Sequence, residues 1–241
     1  LKGAVTVAAG SQNGAAVMAD GSVWVWGKNN VGQLGQGHTT ELNFAQPVWN
    51  GDEILRGIKK VDIGADFMTA LTNEGTVYSW GLGTSAQMGD GTRTNKTQPV
   101  QAKWNASTPV TDVIDIACGN NFVLALFSDN TVCAWGRNNY GQLGYGLAHG
   151  TITNANGSKV FANPIGLDEG TKVVQISTLQ YTGFVLVENE DGTKTPYGFG
   201  LNTSAQIGCA NATNQYLPVE VCRAYGEKAT DKIIKLQAPS M

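Results

Sequence analysis

Residues 23–35 read Val-Trp-Val-Trp-Gly-Lys-Asn-Asn-Val-Gly-Gln-Leu-Gly, and related versions occur three more times along the chain. The copies at 77–89 and 132–144 keep the Trp-Gly pair and the closing Gln-Met-Gly or Gln-Leu-Gly. The copy at 196–208 is looser and has Phe-Gly in place of Trp-Gly. The aromatic residues that anchor the copies recur every 54 to 64 residues, at Trp26, Trp80, Trp135 and Phe199. Recurrence at this spacing predicts a repeat architecture.

Each copy lies within the same series of short strand-like segments. In the second repeat, alternating apolar residues run over 60–63 and again over 68–72 and 76–80, with turn residues between them. A fourth strand is predicted to begin at Gln98-Pro99, because a proline suits the first residue of an edge strand. Four short strands in every unit of about 50 residues predict an all-β fold, a β-propeller of four-stranded blades.

The repeats predict how the 241 residues are organised. We expect one partial propeller domain over 1–241, made of repeats 5–58, 59–112, 113–172 and 173–232 and the start of another at 233–241. Four blades would leave sheet edges exposed, so further blades are expected from the same chain or from another one. The third repeat contains a longer segment at 145–163, and long loops on rigid scaffolds often bind partners.

Composition argues against several classes of protein. The net charge is −3 and no basic run exceeds two residues, which argues against a nucleic-acid binder. No run of 18 apolar residues is present, so no membrane span is predicted. The two histidines, His38 and His149, fall in equivalent loops of separate repeats and predict no metal site. No catalytic constellation or cofactor fingerprint stands apart from the repeat itself, so we expect a protein that is not an enzyme and needs no cofactor.

Cysteines and glycosylation sequons bear on the compartment. Cys118 and Cys133 lie in apolar strand segments, which predicts buried thiols. Cys209 and Cys222 flank a 12-residue loop, and the sequence leaves open whether they form a disulfide. The five Asn-x-Ser/Thr sequons hint at an extracellular or cell-surface location, which is otherwise unknown; they begin at Asn95, Asn105, Asn156, Asn202 and Asn211.

The pattern Trp-Gly-x-Asn-x-x-Gly-Gln-Leu-Gly-x-Gly, preceded by an Asp-Gly hairpin, resembles the repeat of the regulator of chromosome condensation family. The motif is most specific at 26–37 and 135–146. The resemblance implies a seven-bladed propeller, of which four repeats and the start of a fifth are present. The family usually has a histidine three residues after the glycine that ends the first strand. The corresponding residues here are taken as Asn13, Phe67, Phe122 and Tyr181, and such departures suggest a divergent bacterial or secreted member.

The same resemblance also implies which functions to expect. The family's animal founder is a nucleotide-exchange factor for a small GTPase, whereas bacterial and secreted relatives are mostly binding modules. We therefore expect a non-catalytic scaffold that recognises a partner protein through its loops. A nucleotide-exchange factor for a small GTPase and a structural or cell-surface module of a larger assembly are the alternatives.

Strand order predicts which loops act together. In an antiparallel four-stranded blade, the loops after the first and third strands share one end of the sheet. Aromatic residues and arginine favour protein recognition there. Alternatively, the asparagines only accept turn geometry and the aromatic rings pack beneath the loops. The predicted partner-binding residues are Asn13, Lys28, Asn29, Asn30, Asp66, Phe67, Asn121, Phe122, Arg137, Asn138, Asn139, Tyr140 and Tyr181.

Overall fold

The computed structural model describes residues 1–146 and 165–222, and within these ranges the chain consists of strands and loops. No helix in the described ranges is long and apolar enough to cross a membrane. The first sheet is antiparallel in the order β1-β2-β3-β4, with strands β1 (Ala4–Ala9), β2 (Asn13–Met18), β3 (Val23–Gly27) and β4 (Leu42–Pro47). A small hairpin follows, formed by β5 (Trp49–Asn50) and β6 (Glu53–Ile54).

Two more sheets repeat this order, and another repeats its first three strands within the described residues. The second contains β7 (Ile58–Ile63), β8 (Phe67–Thr72), β9 (Val77–Gly81) and β10 (Lys96–Gln101). The third contains β11 (Val113–Cys118), β12 (Phe122–Phe127) and β13 (Val132–Gly136). The fourth contains β14 (Lys172–Leu179), β15 (Thr182–Glu188), β16 (Lys194–Gly200) and β17 (Gln215–Glu220).

The predicted all-β fold of four-stranded propeller blades is confirmed by these sheets. Two predicted segments, the repeat start at 233–241 and most of the long loop at 145–163, lie outside the described residues. Pro164, which corresponds in the third repeat to Pro99 in the second, also lies outside them. The repeat boundaries and the seven-bladed ring remain predictions.

The place of proline in the outer strands differs from the prediction. The fourth strands do not begin at proline. Pro99 lies inside β10, Pro218 lies inside β17, and Pro47 is the last residue of β4. An outer strand has a neighbour on only one side, so a residue without an N–H can lie within it. The pairing is also irregular there, since the register of β10 against β9 shifts between Lys96 and Val100. A bulged edge strand therefore accepts proline at several positions.

Tryptophan joins each sheet to the one before it. Trp80 is fully buried, and its Nε1 donates to the Gln33 carbonyl oxygen of the preceding sheet at 3.0 Å. Trp135 makes the equivalent bond to Gln87 at 3.1 Å. Gly35 has a φ of +65°, and a Cβ added there would lie 3.1 Å from Nε1 of Trp80, so the left-handed backbone next to the indole favours glycine. Trp80 and Trp135 therefore fill the space between neighbouring sheets.

The outer face of the first sheet exposes a first-strand residue whose counterparts in the other three sheets are buried. Val7 is 72% exposed. Its counterparts Val61, Ile116 and Ile176 are at most 5% exposed, because each packs in the core between its sheet and a neighbouring one. This side of the first sheet has the apolar character of an inter-sheet surface.

Polar groups link the innermost strands of the second and third sheets. Lys60 Nζ donates to Asp115 Oδ1 and to the Ile116 carbonyl oxygen, both at 2.7 Å. Asp62 Oδ2 accepts from the Cys118 backbone N–H at 2.8 Å. Burial raises the pKa of the Asp62 carboxyl despite this hydrogen bond. These contacts connect residues more than 50 positions apart in sequence.

The cysteines and one sequon can now be placed. Cys118 and Cys133 are buried as predicted, and burial raises the pKa of Cys133 to about 12. Cys209 and Cys222 are free thiols in this structure. Asn202 is fully buried, so its sequon cannot carry a glycan in the folded protein.

Asp90 is held by a partly buried ion pair. Its carboxylate accepts from Lys96 Nζ at 2.8 Å and from the N–H and hydroxyl of Thr92. Burial alone would raise the pKa of Asp90, but the bonds from Lys96 and Thr92 outweigh burial and lower it. The folded-state pKa of Asp90 therefore lies below its unfolded-state pKa, so the ionised carboxylate stabilises the fold at pH values above the unfolded-state pKa. This stabilisation is lost as the pH falls through the folded-state pKa.

We expect Asp90→Asn to lower the free energy of unfolding by up to about 1 kcal/mol at neutral pH. The difference from wild type should shrink below about pH 4, where the carboxylate becomes protonated in the unfolded chain and then in the folded one. Urea unfolding at a series of pH values measures it, with Asp52→Asn in an exposed turn as the control. A difference that does not change with pH would contradict the role of the Asp90 charge.

Candidate functional site

The loops that follow the first and third strands of each sheet lie at the same end. The Arg137 N–H donates to the Asn121 carbonyl oxygen at 2.8 Å, and the Leu201 N–H donates to Tyr181 at 2.9 Å. The first two sheets make the equivalent bonds, from Lys28 to Gln12 and from Leu82 to Asp66. The predicted sharing of one end by these loops is confirmed, and we call their combined surface the loop face.

Backbone hydrogen bonds also connect the loop face from sheet to sheet. The Ala65 N–H donates to the Asn120 carbonyl oxygen at 3.0 Å, and the Asn120 N–H donates to Gln180 at 2.7 Å. Each of these residues follows the first strand of a different sheet. The first-strand turns are therefore held in a fixed row.

Five of the predicted partner-binding residues are buried, so the prediction of direct contact is wrong for them. They cannot contact a partner directly, because their side chains lie within the fold: Asn13, Asn29, Phe67, Phe122 and Asn138. Asn29 shows the reason for the asparagines. Its Nδ2 donates to the carbonyl oxygens of His38 and Thr40, and its Oδ1 accepts from the Leu34 N–H at 2.9 Å. The amide therefore holds the loop in shape.

The rings of the two buried phenylalanines each pack against a glycine of the preceding turn. A Cβ added at Gly64 would lie 2.0 Å from Phe67 Cε1, and one at Gly119 would lie 1.9 Å from Phe122 Cε1. Only glycine leaves room for the ring at this turn. The alternative that the aromatic rings pack beneath the loops is correct for these two residues.

The alignment of the fourth repeat also needs correction. The first residue of the second strand is Asn13, Phe67, Phe122 or Thr182, so Thr182 and not Tyr181 is the counterpart. Thr182 Oγ1 donates to the Leu201 carbonyl oxygen at 2.7 Å, just as Asn13 Nδ2 donates to Lys28 at 2.6 Å. A polar link at this turn is therefore kept in the first and fourth sheets.

The other eight predicted residues are exposed or half-buried on the loop face: Lys28, Asn30, Asp66, Asn121, Arg137, Asn139, Tyr140 and Tyr181. Six of them gather at two contacts between neighbouring sheets. We call each contact between the third-strand loop of one sheet and the first-strand turn of the next a junction. At the first junction, Lys28 Nζ lies 3.0 Å from Asp66 Oδ1.

The third junction brings a cation and two aromatic rings together. The Arg137 guanidinium carbon lies 5.5 Å from the Tyr181 ring centroid and 5.9 Å from the Tyr140 centroid. The two rings meet edge to face with their centroids 5.3 Å apart. The Asn139 amide oxygen accepts from Nη2 and Nε of Arg137 at 2.8 and 3.1 Å. Guanidinium groups stacked on aromatic rings keep their charge and their free N–H donors for a ligand.

Sequence reasoning missed the glutamines of the motif. Gln33, Gln87 and Gln142 are fully buried, and each Oε1 accepts from a backbone N–H two residues earlier. Gln33 Nε2 donates to Asp66 Oδ1 at 3.2 Å. Nε2 of Gln87 and of Gln142 has no hydrogen-bond partner. Their recurrence in every copy of the motif is the sequence signal that points to them.

Metal-ligating residues do not gather in the described part of the chain. Within residues 1–146 and 165–222, no three His, Cys, Asp or Glu side chains lie close enough to hold a metal ion. His38 Nδ1 accepts from the Thr40 N–H at 3.1 Å, which gives this histidine a local structural role. The other predicted loop histidine, His149, lies outside the described residues.

Comparison with known proteins finds relatives with the same repeat. An RCC1 repeat-containing protein of Dictyostelium discoideum is 31% identical over 191 residues, which cover 77% of this chain and 37% of the relative. The ultraviolet-B receptor UVR8 of Arabidopsis thaliana is 29% identical over 226 residues, which cover 92% of this chain and 47% of UVR8. The chain thus spans less than half the length of these two relatives.

The fold has a counterpart among solved structures. Prp20p of Saccharomyces cerevisiae, described together with its binding properties to Gsp1p and histones, superposes with a TM-score of 0.71. The match covers 91% of this chain and 50% of that one at 21% sequence identity, so it shows the fold.

Two family models match the chain, and both describe the regulator of chromosome condensation (RCC1) repeat. One matches residues 20–71 and 74–126, and the other matches 4–33, 58–87 and 113–142. Together they cover more than half of the 241 residues. The matched segments contain the Trp-Gly motifs and the sheets built around them. The chain therefore belongs to the regulator of chromosome condensation repeat family.

Proposed function

We propose that this chain is a non-catalytic scaffold that recognises a partner protein through the loop face. The observation that carries the proposal is the group of Arg137, Tyr140 and Tyr181 at the third junction. Arginine and tyrosine dominate the energetics of many protein interfaces, because they combine a large contact area with directed hydrogen bonds. The backbone links between the first-strand turns hold this group in place before binding, which reduces the ordering cost of association.

Relatives support protein recognition as a use of this fold. Prp20p is described with its binding to Gsp1p and histones. The similarity between this chain and Prp20p is one of fold and not of individual loops. It therefore supports a protein partner for this chain but does not identify that partner. The support for a scaffold is the combination of a built surface group with a repeat architecture.

The alternatives remain predictions with their own tests. A nucleotide-exchange factor would accelerate release of a labelled guanine nucleotide from a small GTPase, and a structural or cell-surface module would not. The absence of nucleic-acid binding and the supply of further blades by this or another chain also remain predictions. The apolar outer face of the first sheet supports the expectation of further blades.

Partner capture tests the proposed function. The double variant Arg137→Ala/Tyr181→Ala removes the group from the loop face, and Asn73→Ala/Glu74→Ala changes an exposed hairpin at the other end of the second sheet. We expect a protein captured by wild type and by the hairpin variant to bind the loop-face variant about tenfold more weakly or worse. Affinity purification, followed by direct titration of the purified partner, measures this. Equal affinity of both variants, with both folded by circular dichroism, would reject the loop face.

A further inference from the structure

The three junctions have the same arrangement but different side chains. Each combines the residue that follows the third strand, the buried glutamine of the motif, and the residue just before the second strand of the next sheet. The first junction contains Lys28, Gln33 and Asp66; the second contains Leu82, Gln87 and Asn121; the third contains Arg137, Gln142 and Tyr181. Comparing them shows which polar groups lack a partner.

The first junction is complete. Asp66 Oδ1 accepts from Lys28 Nζ at 3.0 Å and from Gln33 Nε2 at 3.2 Å. Gln33 Nε2 also donates to Asn30 Oδ1 at 3.0 Å. The Asp66 oxygen therefore accepts from a cation and shares the buried amide with Asn30. Hydrogen bonds between charged groups are about twice as strong as neutral ones, so this carboxylate suits its site.

The third junction has the donors but not the carboxylate. Arg137 replaces Lys28, yet it forms no salt bridge with any described residue, because Tyr181 stands where Asp66 stands in the first junction. Gln142 is held by its Oε1, which accepts from the Tyr140 N–H at 2.8 Å. Its Nε2 is buried without a partner. A buried donor without a partner destabilises the free chain, and an incoming acceptor would remove that cost.

We infer that the third junction binds a carboxylate group from an acidic segment of the partner protein. Arg137 and Gln142 Nε2 donate to that carboxylate as Lys28 and Gln33 do to Asp66, and the rings of Tyr140 and Tyr181 flank it. The inference rests on the proposed function and specifies its chemistry. Nε2 is covered in the free chain, so the incoming group displaces a neighbouring side chain, and such rotamer changes are common at interfaces.

The second junction provides an internal control. Gln87 Nε2 is also buried without a partner, but Leu82 supplies no positive charge beside it. If a buried amide alone attracted carboxylates, Gln87 and Gln142 would respond alike. If arginine and amide act together, only Gln142 responds.

Side-chain amide resonances of the ¹⁵N-labelled chain test this inference. Sodium acetate is titrated against sodium chloride at constant ionic strength, and the Nε2 groups of Gln33, Gln87 and Gln142 are followed. We expect a saturable shift at Gln142 that is several times larger than at Gln87 or Gln33. Arg137→Gln should abolish the shift. Tyr181→Asp should abolish it too, because the new side chain occupies the site as Asp66 does, whereas Tyr181→Phe should retain it.

Several outcomes would overturn the inference. These are an unchanged Gln142 resonance, an equal shift at Gln87, and a response that survives Arg137→Gln. An equal response to inorganic phosphate would show a general anion site instead of a carboxylate site. Should Tyr181→Asp fail to fold, Arg137→Gln still decides the result.

Two further probes separate the sources of the carboxylate. Blocked glutamate, acetylated and N-methylamidated, represents an acidic side chain, and N-acetylglycine represents a chain terminus. We expect the blocked glutamate to bind more tightly, and a preference for N-acetylglycine would contradict an acidic segment as the ligand. Loss of partner capture with an intact acetate response would reject the proposed function alone. Intact capture without an acetate response would reject the carboxylate site alone.

Discussion

Replacement of Trp80 by alanine is expected to lower the free energy of unfolding by about 3–5 kcal/mol. The indole is fully buried between the first two sheets. Its loss opens a cavity at the contact and leaves the Gln33 carbonyl oxygen without the donor that lies 3.0 Å away. In a repeat protein each sheet gains its stability from its neighbours, so damage at one contact weakens both sides. Urea unfolding followed by circular dichroism measures the change.

Trp26 provides the matched control, because it occupies the same motif position in the first sheet. Its side chain is only half-buried, and no described residue accepts a hydrogen bond from its indole N–H. Trp26→Ala should therefore cost clearly less than Trp80→Ala. Trp80→Phe keeps most of the ring but not the hydrogen bond, and should cost about 1–2 kcal/mol. Equal losses for the two alanine variants would show that the contact between the sheets is not the source of stability.

Phe122→Ala is expected to cost about 3–5 kcal/mol of folding stability. Phe122 is fully buried in the core between the third and fourth sheets, with its ring over Gly119. The sequence predicted instead that this residue contacts a partner, in which case alanine would weaken binding and leave the fold intact. Urea unfolding and partner affinity, measured on the same variant, separate the two roles.

Asn121→Ala serves as the control for Phe122→Ala. Asn121 is the preceding residue, is half-buried on the loop face, and contributes its backbone carbonyl to the Arg137 N–H. Because alanine keeps that carbonyl, the expected change in stability is within about 0.5 kcal/mol. A stable Phe122→Ala variant with weakened partner binding would restore the sequence-based interpretation.

Local sequence patterns predicted most of the fold. The alternation of apolar residues and the turn signals between them predicted four strands per repeat, because these features act over a few residues. The Asp-Gly hairpin at Asp20-Gly21 shows this, since Asp20 Oδ1 accepts from the N–H and hydroxyl of Ser22 two positions later. The recurrence of the aromatic residues then predicted a repeat architecture.

The chemistry of the loop face depended on longer distances. Lys28 and Asp66 are 38 residues apart, and their pairing follows from the position of the next sheet. The same holds for Arg137 and Tyr181, which belong to different repeats and meet only when the sheets stack. Sequence alone could place these residues on one face, but it could not say which side chains would touch.

Burial in the tertiary structure separates the structural residues of the loop face from the exposed ones. The amino-acid sequence by itself predicted the repeated pattern, most of the strands and the face on which the predicted residues lie. The tertiary structure alone decided that Asn29 and Phe122 are structural, that Thr182 replaces Tyr181 in the alignment, and that Gln142 holds an unpartnered donor. The physical reason is that solvent exposure and hydrogen-bond partners are properties of neighbouring sheets, whose residues lie about 50 positions away along the chain.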